Sequence, residues 1–214
     1  MRLIDTHSHL FLEEFSEDFP QVIERARAAG VTHIFMPNID STTIEAMLSA
    51  CSVYKGYCFP MIGLHPTSVN ANYEKELEIV ARELKFSKEY VAIGEIGMDL
   101  YWDKTYLKEQ QIVLDKQVNW ALEYDLPIVI HCRDAFDYIY KVLEPYKKTP
   151  LRGIFHSFTG TAEEATRVLE FSDFFIGING VVTFKKSHLP EILAGIPLEK
   201  IVLETDSPYL TPVP

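Results

Sequence analysis

The sequence has few cysteines and no long apolar run. Its three cysteines, Cys51, Cys58 and Cys132, are an odd number and follow no metal-ligand spacing, which favours packing roles and a reduced, cytoplasmic setting. No stretch approaches the roughly 18 apolar residues that a membrane helix needs. Met1-Arg2 leads at once into a strand-like segment, so neither a membrane span nor a secretion signal is expected.

Positive charge is also scarce, since 20 basic residues face 31 acidic ones and the net charge is −11. A surface this acidic should not attract nucleic acid as a whole. A phosphate substrate would therefore need a local positive charge, for which bound metal ions are the obvious source.

Apolar residues make up 47% of the 214 residues, enough for one globular domain over residues 1–214. Eight short apolar segments predict strands that are buried on both faces, as in a parallel sheet. They are Leu3–Thr6, His33–Pro37, Tyr57–Gly63, Val91–Gly94, Pro127–Ile130, Gly153–Phe155, Phe174–Ile178 and Ile201–Leu203.

The segments between these strands carry apolar residues at helical spacing. Three such stripes are Ile44/Met47/Leu48/Cys51, Leu77/Val80/Ala81/Leu84 and Leu107/Leu114/Val118/Ala121/Leu122. Helix boundaries are predicted from capping boxes at Thr42-x-x-Glu45 and Thr161-x-x-Glu164, from a cap at Asp134 and from a stop at Gly30.

Strands that alternate with helices predict an α/β fold, specifically a (β/α)8 TIM-type barrel, with an open doubly wound sheet as the alternative. Such a barrel typically needs about 250 residues and an eighth helix. The printed sequence stops at Pro214, soon after the eighth strand. We expect that the final helix was removed, was not included or is supplied by a partner.

Six potential metal ligands fall at the predicted carboxyl ends of five strands, which form the active-site face of a barrel. They are His7, His9, Glu95, His131, His156 and Asp206. Neutral imidazoles and carboxylates suit one or two divalent ions such as Zn, Mn, Ni or Co better than Mg, and the identity of the ion stays open. Glu95 has two oxygens and could bridge two ions about 3.5–4 Å apart, which would activate water for attack at phosphorus.

Further residues are candidates for substrate contacts. His65, Arg133 and Glu204 form the predicted substrate-binding set, although Arg133 could instead pair with Asp134 or Asp137 and Glu204 could orient other groups. Asp99 and Tyr101 are weaker candidates, and Trp102 and Tyr106 could stack a base or merely pack. His33 is interpreted as structural and His188 as a residue of a solvated loop.

Several segments resemble the TatD family of metal-dependent deoxyribonucleases, a branch of the amidohydrolase-like barrels. They begin with Ile4–Leu10, Gly63–Pro66 and Ala92–Asp99, and continue with Pro127–Ala135, Gly153–Gly160 and Leu203–Leu210. Their order and near-complete coverage of the chain carry the resemblance. The Glu204–Leu210 segment, Glu-Thr-Asp-Ser-Pro-Tyr-Leu, is specific when it occurs with the His-x-His start.

The resemblance implies a TIM-type barrel and a deoxyribonuclease, often a 3′→5′ exonuclease on single-stranded DNA ends. It implies one ion on His7, His9, Glu95 and Asp206 and a second ion on Glu95, His131 and His156. Glu95 and Asp206 are the expected catalytic residues, with Asp206 accepting a proton from the attacking water. A monomer without membrane association is favoured.

Two other classes of function compete with this hypothesis. One is a barrel hydrolase of a small amide, lactone or ester. Many such relatives carry a modified lysine where Glu95 stands, and Gly94–Asp99 contains no lysine. The other is a non-catalytic metal-binding protein, which should have an incomplete ligand set, whereas all six predicted ligands are present.

Overall fold

A computed structural model of the chain describes residues 1–213 and contains eight short strands. The strands are β1 Leu3–Asp5, β2 Val31–Pro37, β3 Cys58–Met61, β4 Ile93–Asp99, β5 Ile128–Arg133, β6 Gly153–Phe155, β7 Phe174–Ile178 and β8 Ile201–Leu203. All paired strands are parallel, as the apolar segments predicted.

The strands form a closed ring. They lie in two hydrogen-bonded groups, β1-β2-β3 and β4-β5-β6-β7-β8. A parallel bridge between Ile62 and Ile93 joins β3 to β4. The backbone N–H of Thr6 donates to the carbonyl of Leu203 at 3.1 Å and joins β8 back to β1. The barrel prediction is confirmed, and the open-sheet alternative is wrong.

Seven helices lie between the strands. They are α1 Phe19–Ala28, α2 Ile44–Val53, α3 Tyr73–Phe86, α4 Leu107–Glu123, α5 Phe136–Leu143, α6 Ala162–Val168 and α7 Leu189–Leu193. Their apolar stripes face the sheet, so that Met47, Val80 and Leu114 are fully buried. No helix within residues 1–213 is long and apolar enough to cross a membrane.

The segment from β8 to residue 213 contains no helix. The side chains of Ile4 on β1 and Leu203 on β8 are consequently about half exposed, at 47% and 53%. This agrees with the expected lack of an eighth helix over these strands. The assignment of residues 1–214 to one domain stays a prediction.

Two of the predicted helix boundaries are confirmed and two are wrong. Thr161 and Glu164 form a reciprocal capping box at α6, and Gly30 follows α1 with φ +92°. The box at Thr42 is not formed, because α2 begins one residue later and the Thr42 hydroxyl donates to Asp40. Asp134 does not cap α5, since its backbone is left-handed, with φ +53°, and Ala135 precedes the helix.

The bounds of β4 differ most from the prediction. The sequence predicted Val91–Gly94, followed by Glu95 outside the strand, whereas β4 runs from Ile93 to Asp99 and includes Glu95. Likewise His131 lies within β5 instead of after it. Gly97 shows why the composition of this segment gave the wrong strand bounds. Glycine is depleted in strands, yet this position requires glycine, because a Cβ here would lie 2.0 Å from the carbonyl oxygen of His131.

Candidate metal centre

The carboxyl ends of the strands deliver the predicted ligands to one place. His7 and His9 follow β1, His156 follows β6 and Asp206 follows β8. The joint between β1 and β8 holds two of them, because the backbone N–H of Asp206 donates to the carbonyl of His7 at 2.9 Å. The left-handed backbone of Asp206, φ +57°, is uncommon for an L-residue and is typical of functional sites.

Glu95 is the centre of this arrangement, and imidazoles surround its carboxylate. Oε2 lies 3.1 Å from Nε2 of His7 and 3.5 Å from Nε2 of His9. Oε1 lies 3.0 Å from Nδ1 of His131, 2.9 Å from Nε2 of His156 and 3.3 Å from Nε2 of His65. The two oxygens therefore face two different groups of ring nitrogens.

Asp206 completes the group on the Oε2 side. Its Oδ1 lies 3.6 Å from Nε2 of His9 and 3.8 Å from Nε2 of His7. Those two ring nitrogens are only 3.2 Å apart, so both point into one small volume. His7 and His156 stack with ring centroids 3.8 Å apart, which places His156 close to both groups.

Three sets of side chains lie close enough to hold an ion: His7–His9–Glu95, His7–His156–Asp206 and His65–Glu95–His131. The resemblance placed His7, His9, Glu95 and Asp206 around one ion, and these four lie together. It placed His131 and His156 on the other side of Glu95, where both contact Oε1. His65 was predicted to touch substrate, and it lies within ligand distance of the same oxygen.

The donor set fits divalent cations. Imidazole nitrogens and carboxylate oxygens are the ligands of Zn, Mn, Co and Ni, and here they converge in a buried pocket where His7, His9, Glu95 and His156 are each at most 4% exposed. Without a cation, the close approach of the His7 and His9 ring nitrogens is satisfied only if a proton lies between them.

The pKa values of Glu95, His7 and His9 reflect the close contact between carboxylates and imidazoles in this pocket. Desolvation would raise the pKa of Glu95, but His156, His65 and His7 outweigh it and hold that pKa well below its usual value. Burial lowers the pKa of His7. At His9 the carboxylates of Asp206 and Glu95 overcome burial and raise the pKa to about 9. In the metal-free protein a proton is thus bound to an imidazole, such as that of His9, whose nitrogen a cation would bind instead in the metal-bound protein.

Two further carboxylates, Asp99 and Glu204, contact the imidazoles of His131 and His156. Oδ2 of Asp99 lies 2.9 Å from Nε2 of His131. Oε1 of Glu204 lies 3.4 Å from Nδ1 of His156 and accepts the backbone N–H of Ser157. Carboxylates in such positions fix the orientation of metal-binding imidazoles and raise their basicity.

The placement of Glu204 corrects its predicted role. Its carboxylate has no exposed surface and faces His156 and Ser157 instead of the cavity. The alternative of an orienting role agrees with these contacts. Asp99, a weaker candidate in the sequence, is 3% exposed and contacts a predicted ligand directly. The predicted strand ended at Gly94, so the sequence did not reveal that Asp99 ends β4.

A cavity of about 630 Å³ opens above the ligands. His65 and Arg133, which are the predicted substrate contacts, line it, and so does Trp102. Arg133 takes part in none of the ion pairs found among residues 1–213, and Asp137, one proposed partner, pairs with Arg167 instead. Arg133 is therefore available to an anion in the cavity.

The remaining candidates lie away from the ligands. Tyr106 packs with a small apolar cluster around Leu64 and Val113, which favours its packing role. His33 stacks on Phe59 at the other end of the barrel strands, as expected of a structural residue. His188 is exposed before α7, as predicted for a solvated loop.

Comparison with known proteins identifies the family. The family described as "TatD related DNase" matches residues 4–214. The chain is 37% identical to the uncharacterized metal-dependent hydrolase YabD of Bacillus subtilis over 213 residues, which are 99% of the chain and 82% of the relative. It is 34% identical to the 3′-5′ ssDNA/RNA exonuclease TatD of a Pantoea species, with 98% and 81% covered.

A solved structure agrees with both. The crystal structure of YJJV, a TatD homologue from Escherichia coli K12, superposes with a TM-score of 0.90 at 31% identity, covering 98% of the chain and 80% of that structure. The chain therefore belongs to the TatD family of metal-dependent hydrolases.

Proposed function

We propose that this protein is a deoxyribonuclease that hydrolyses phosphodiester bonds at single-stranded ends in the 3′→5′ direction. The observation that carries the proposal is the Glu95 carboxylate, whose two oxygens face two groups of imidazoles beneath a cavity lined by Arg133. Relatives 32–34% identical to the chain are named as 3′-5′ ssDNA/RNA exonucleases, which supports this choice of substrate.

His7, His9, Glu95 and Asp206 would hold one divalent ion, and Glu95, His131 and His156 a second. His65 is close enough to Glu95 to join the second group. Bound there, the ions would act as Lewis acids on the phosphate and would lower the pKa of a water.

Asp206 would accept the proton of the attacking water. Desolvation would raise its pKa, but the hydrogen bond with His9 and the charges of His156 and His7 lower it. The carboxylate is consequently unprotonated at neutral pH and can act as a base. It lies at the wall of the cavity, where substrate and water have access.

Arg133 and His65 would hold the substrate. A guanidinium binds phosphate oxygens through two parallel N–H donors, and Arg133 has no carboxylate partner within the described chain that would compete. Glu204, whose Oε1 lies 3.4 Å from Nδ1 of His156, would fix the orientation of that imidazole. In a chain of net charge −11, this local positive charge lets a polyanion approach.

The test compares labelled single-stranded oligonucleotides with ester, lactone and amide substrates, using several divalent metals and a chelator control. We expect metal-dependent loss of nucleotides from the 3′ end, which a blocked 3′ terminus slows. Glu95→Ala should abolish turnover while circular dichroism shows an intact fold. Glu199→Ala, which changes an exposed glutamate next to β8, is the matched control.

Two results would contradict the proposal. The first is nuclease activity in Glu95→Ala equal to that of the control variant, both purified in the same way. The second is hydrolysis of an ester, lactone or amide by the wild-type protein without any cleavage of DNA.

A further inference from the structure

Two large aromatic side chains are exposed at the rim of the cavity. Tyr101 and Trp102, in the loop between β4 and α4, are 54% and 72% exposed. Their rings meet edge to face with centroids 4.9 Å apart. Trp102 also lines the cavity, beside Arg133 and above the candidate metal centre.

The loop is tied to that centre. Oδ1 of Asp99 accepts the backbone N–H groups of Tyr101 at 3.0 Å and Trp102 at 3.4 Å. Oδ2 of the same carboxylate contacts His131 at 2.9 Å. The Asp99 side chain therefore contacts both the predicted metal ligand His131 and the backbone of Tyr101 and Trp102. These contacts set the distance between the ligand and the two aromatic residues.

Arg133 supports the aromatic pair from the side of β5. Its guanidinium carbon lies 3.8 Å from the centroid of the Tyr101 ring and 5.2 Å from that of Trp102. Arg133 is two residues beyond His131 on the strand, so both side chains point to the same side. A cation stacked on aromatic faces keeps its planar orientation, and its N–H groups are free for a phosphate.

We propose that Tyr101, Trp102 and Arg133 form a nucleobase subsite, in which Trp102 stacks on the base and Arg133 holds a phosphate of the same strand. This inference rests on the proposed nuclease function and names how the substrate is held. Every base has a flat aromatic face, so stacking recognises single-stranded nucleic acid without regard to sequence. A base in a duplex is already stacked between its neighbours, so its face is not available to Trp102. The subsite would therefore bind single strands in preference to duplexes.

Kinetics with paired substrates test the subsite. Two oligonucleotides are compared, one with a base in the terminal nucleotides at the 3′ end and one abasic there. The ratio of their kcat/KM values measures what the base contributes. Stacking of one base predicts a ratio of roughly 5- to 150-fold in the wild-type protein. We expect Trp102→Ala to reduce this ratio to near one, because it raises the KM of the substrate that carries the base. Trp102→Phe should retain most of the ratio.

Phe86→Ala is the matched control, since Phe86 is 77% exposed at the end of α3 and does not line the cavity. It should leave the ratio unchanged. A ratio near one in the wild-type protein, or equal ratios in the wild-type and Trp102→Ala proteins, would overturn the subsite.

A binding measurement separates this proposal from the proposed function. The chain has two tryptophans, Trp102 and the half-buried Trp120. A phosphorothioate oligonucleotide, which resists hydrolysis, should quench the tryptophan fluorescence of the wild-type protein but not that of Trp102→Ala. Quenching without any hydrolysis of normal DNA would refute the nuclease proposal and support the subsite. Absence of quenching would refute the subsite even if DNA is cleaved.

Discussion

Glu204 offers a direct way to test how the ligands are held. Its buried carboxylate lies 3.4 Å from Nδ1 of His156 and accepts the backbone N–H of Ser157. Glu204→Gln keeps the size of the side chain and one acceptor oxygen, but it removes the charge that makes His156 more basic. Loss of such a partner typically weakens metal binding by about 10- to 100-fold, or about 1.4–2.7 kcal/mol.

The structure places the glutamine variant at the lower end of that range. The Ser157 N–H can still be accepted, so we expect about a 10-fold loss for Glu204→Gln and closer to 100-fold for Glu204→Ala. Gly177→Ala makes the same perturbation without changing a charge. A Cβ on Gly177 would lie 2.5 Å from Oε2 of Glu204, so the carboxylate must shift from its present position beside His156.

Competition against a fluorescent chelator measures the affinity of chelator-stripped protein for Mn²⁺ or Zn²⁺. Urea unfolding, measured alongside, separates weaker binding from a weaker fold, and Glu199→Gln is the control at an exposed glutamate. If Glu204→Gln and Gly177→Ala both bind metal within two-fold of the wild-type protein while remaining folded, the positioning role is refuted.

Three other predictions follow from the packing and the charges. Phe174 is fully buried, so Phe174→Ala should lower the free energy of unfolding by about 3–5 kcal/mol; a change below 1 kcal/mol in urea denaturation would contradict this. Gly97→Ala, with φ +140° and a Cβ 2.0 Å from the His131 carbonyl, should destabilise by more than about 2 kcal/mol. Gly56→Ala, with φ +80° and open space, should cost about 1 kcal/mol, and equal losses would refute the steric argument. Because the pKa of metal-free His9 is raised to about 9, metal must displace a proton at pH 7, and its affinity should rise with pH toward 9. Calorimetry in two buffers of different ionisation enthalpy should show proton release, and identical heats would contradict it.

The strand order and the ligand face could be predicted because the relevant signals are local. Gly153–Phe155, Phe174–Ile178 and Ile201–Leu203 are short apolar runs bounded by polar residues, and β6, β7 and β8 have those bounds. Once the strands are parallel, the residues that follow them must meet at one face. The convergence of His156 and Asp206 therefore followed from the pattern before any contact was known.

The course of β4 could not be predicted in the same way. Its sequence, Ile-Gly-Glu-Ile-Gly-Met-Asp, contains two glycines and two acids, and such residues are depleted in strands. Pairing with β5 and burial on both faces hold it extended, and the register shifts between Ile93 and Ile96. Tertiary contacts decide this segment, so no local propensity reveals that Glu95 lies inside the strand.

The roles of individual acids required knowledge of burial. Glu204 and Asp206 are two residues apart and look equivalent in the sequence. In the fold, the side chain of Asp206 keeps 12% of its surface exposed at the cavity, while that of Glu204 keeps none. That difference separates a carboxylate that a water in the cavity can reach from one that faces His156 and Ser157.

The barrel mouth buries four carboxylates among five imidazoles. Glu95, Asp99, Glu204 and Asp206 are each at most 8% exposed, and buried carboxylates destabilise a fold unless they are paired. In the metal-free protein the compensation comes from protonated imidazoles such as His156, whose pKa burial would lower but Glu95 and Glu204 hold well above its usual value. Divalent cations would provide the same compensation without protons. A buried cluster of carboxylates and imidazoles is thus what a cation-binding site requires and what a purely structural core would avoid.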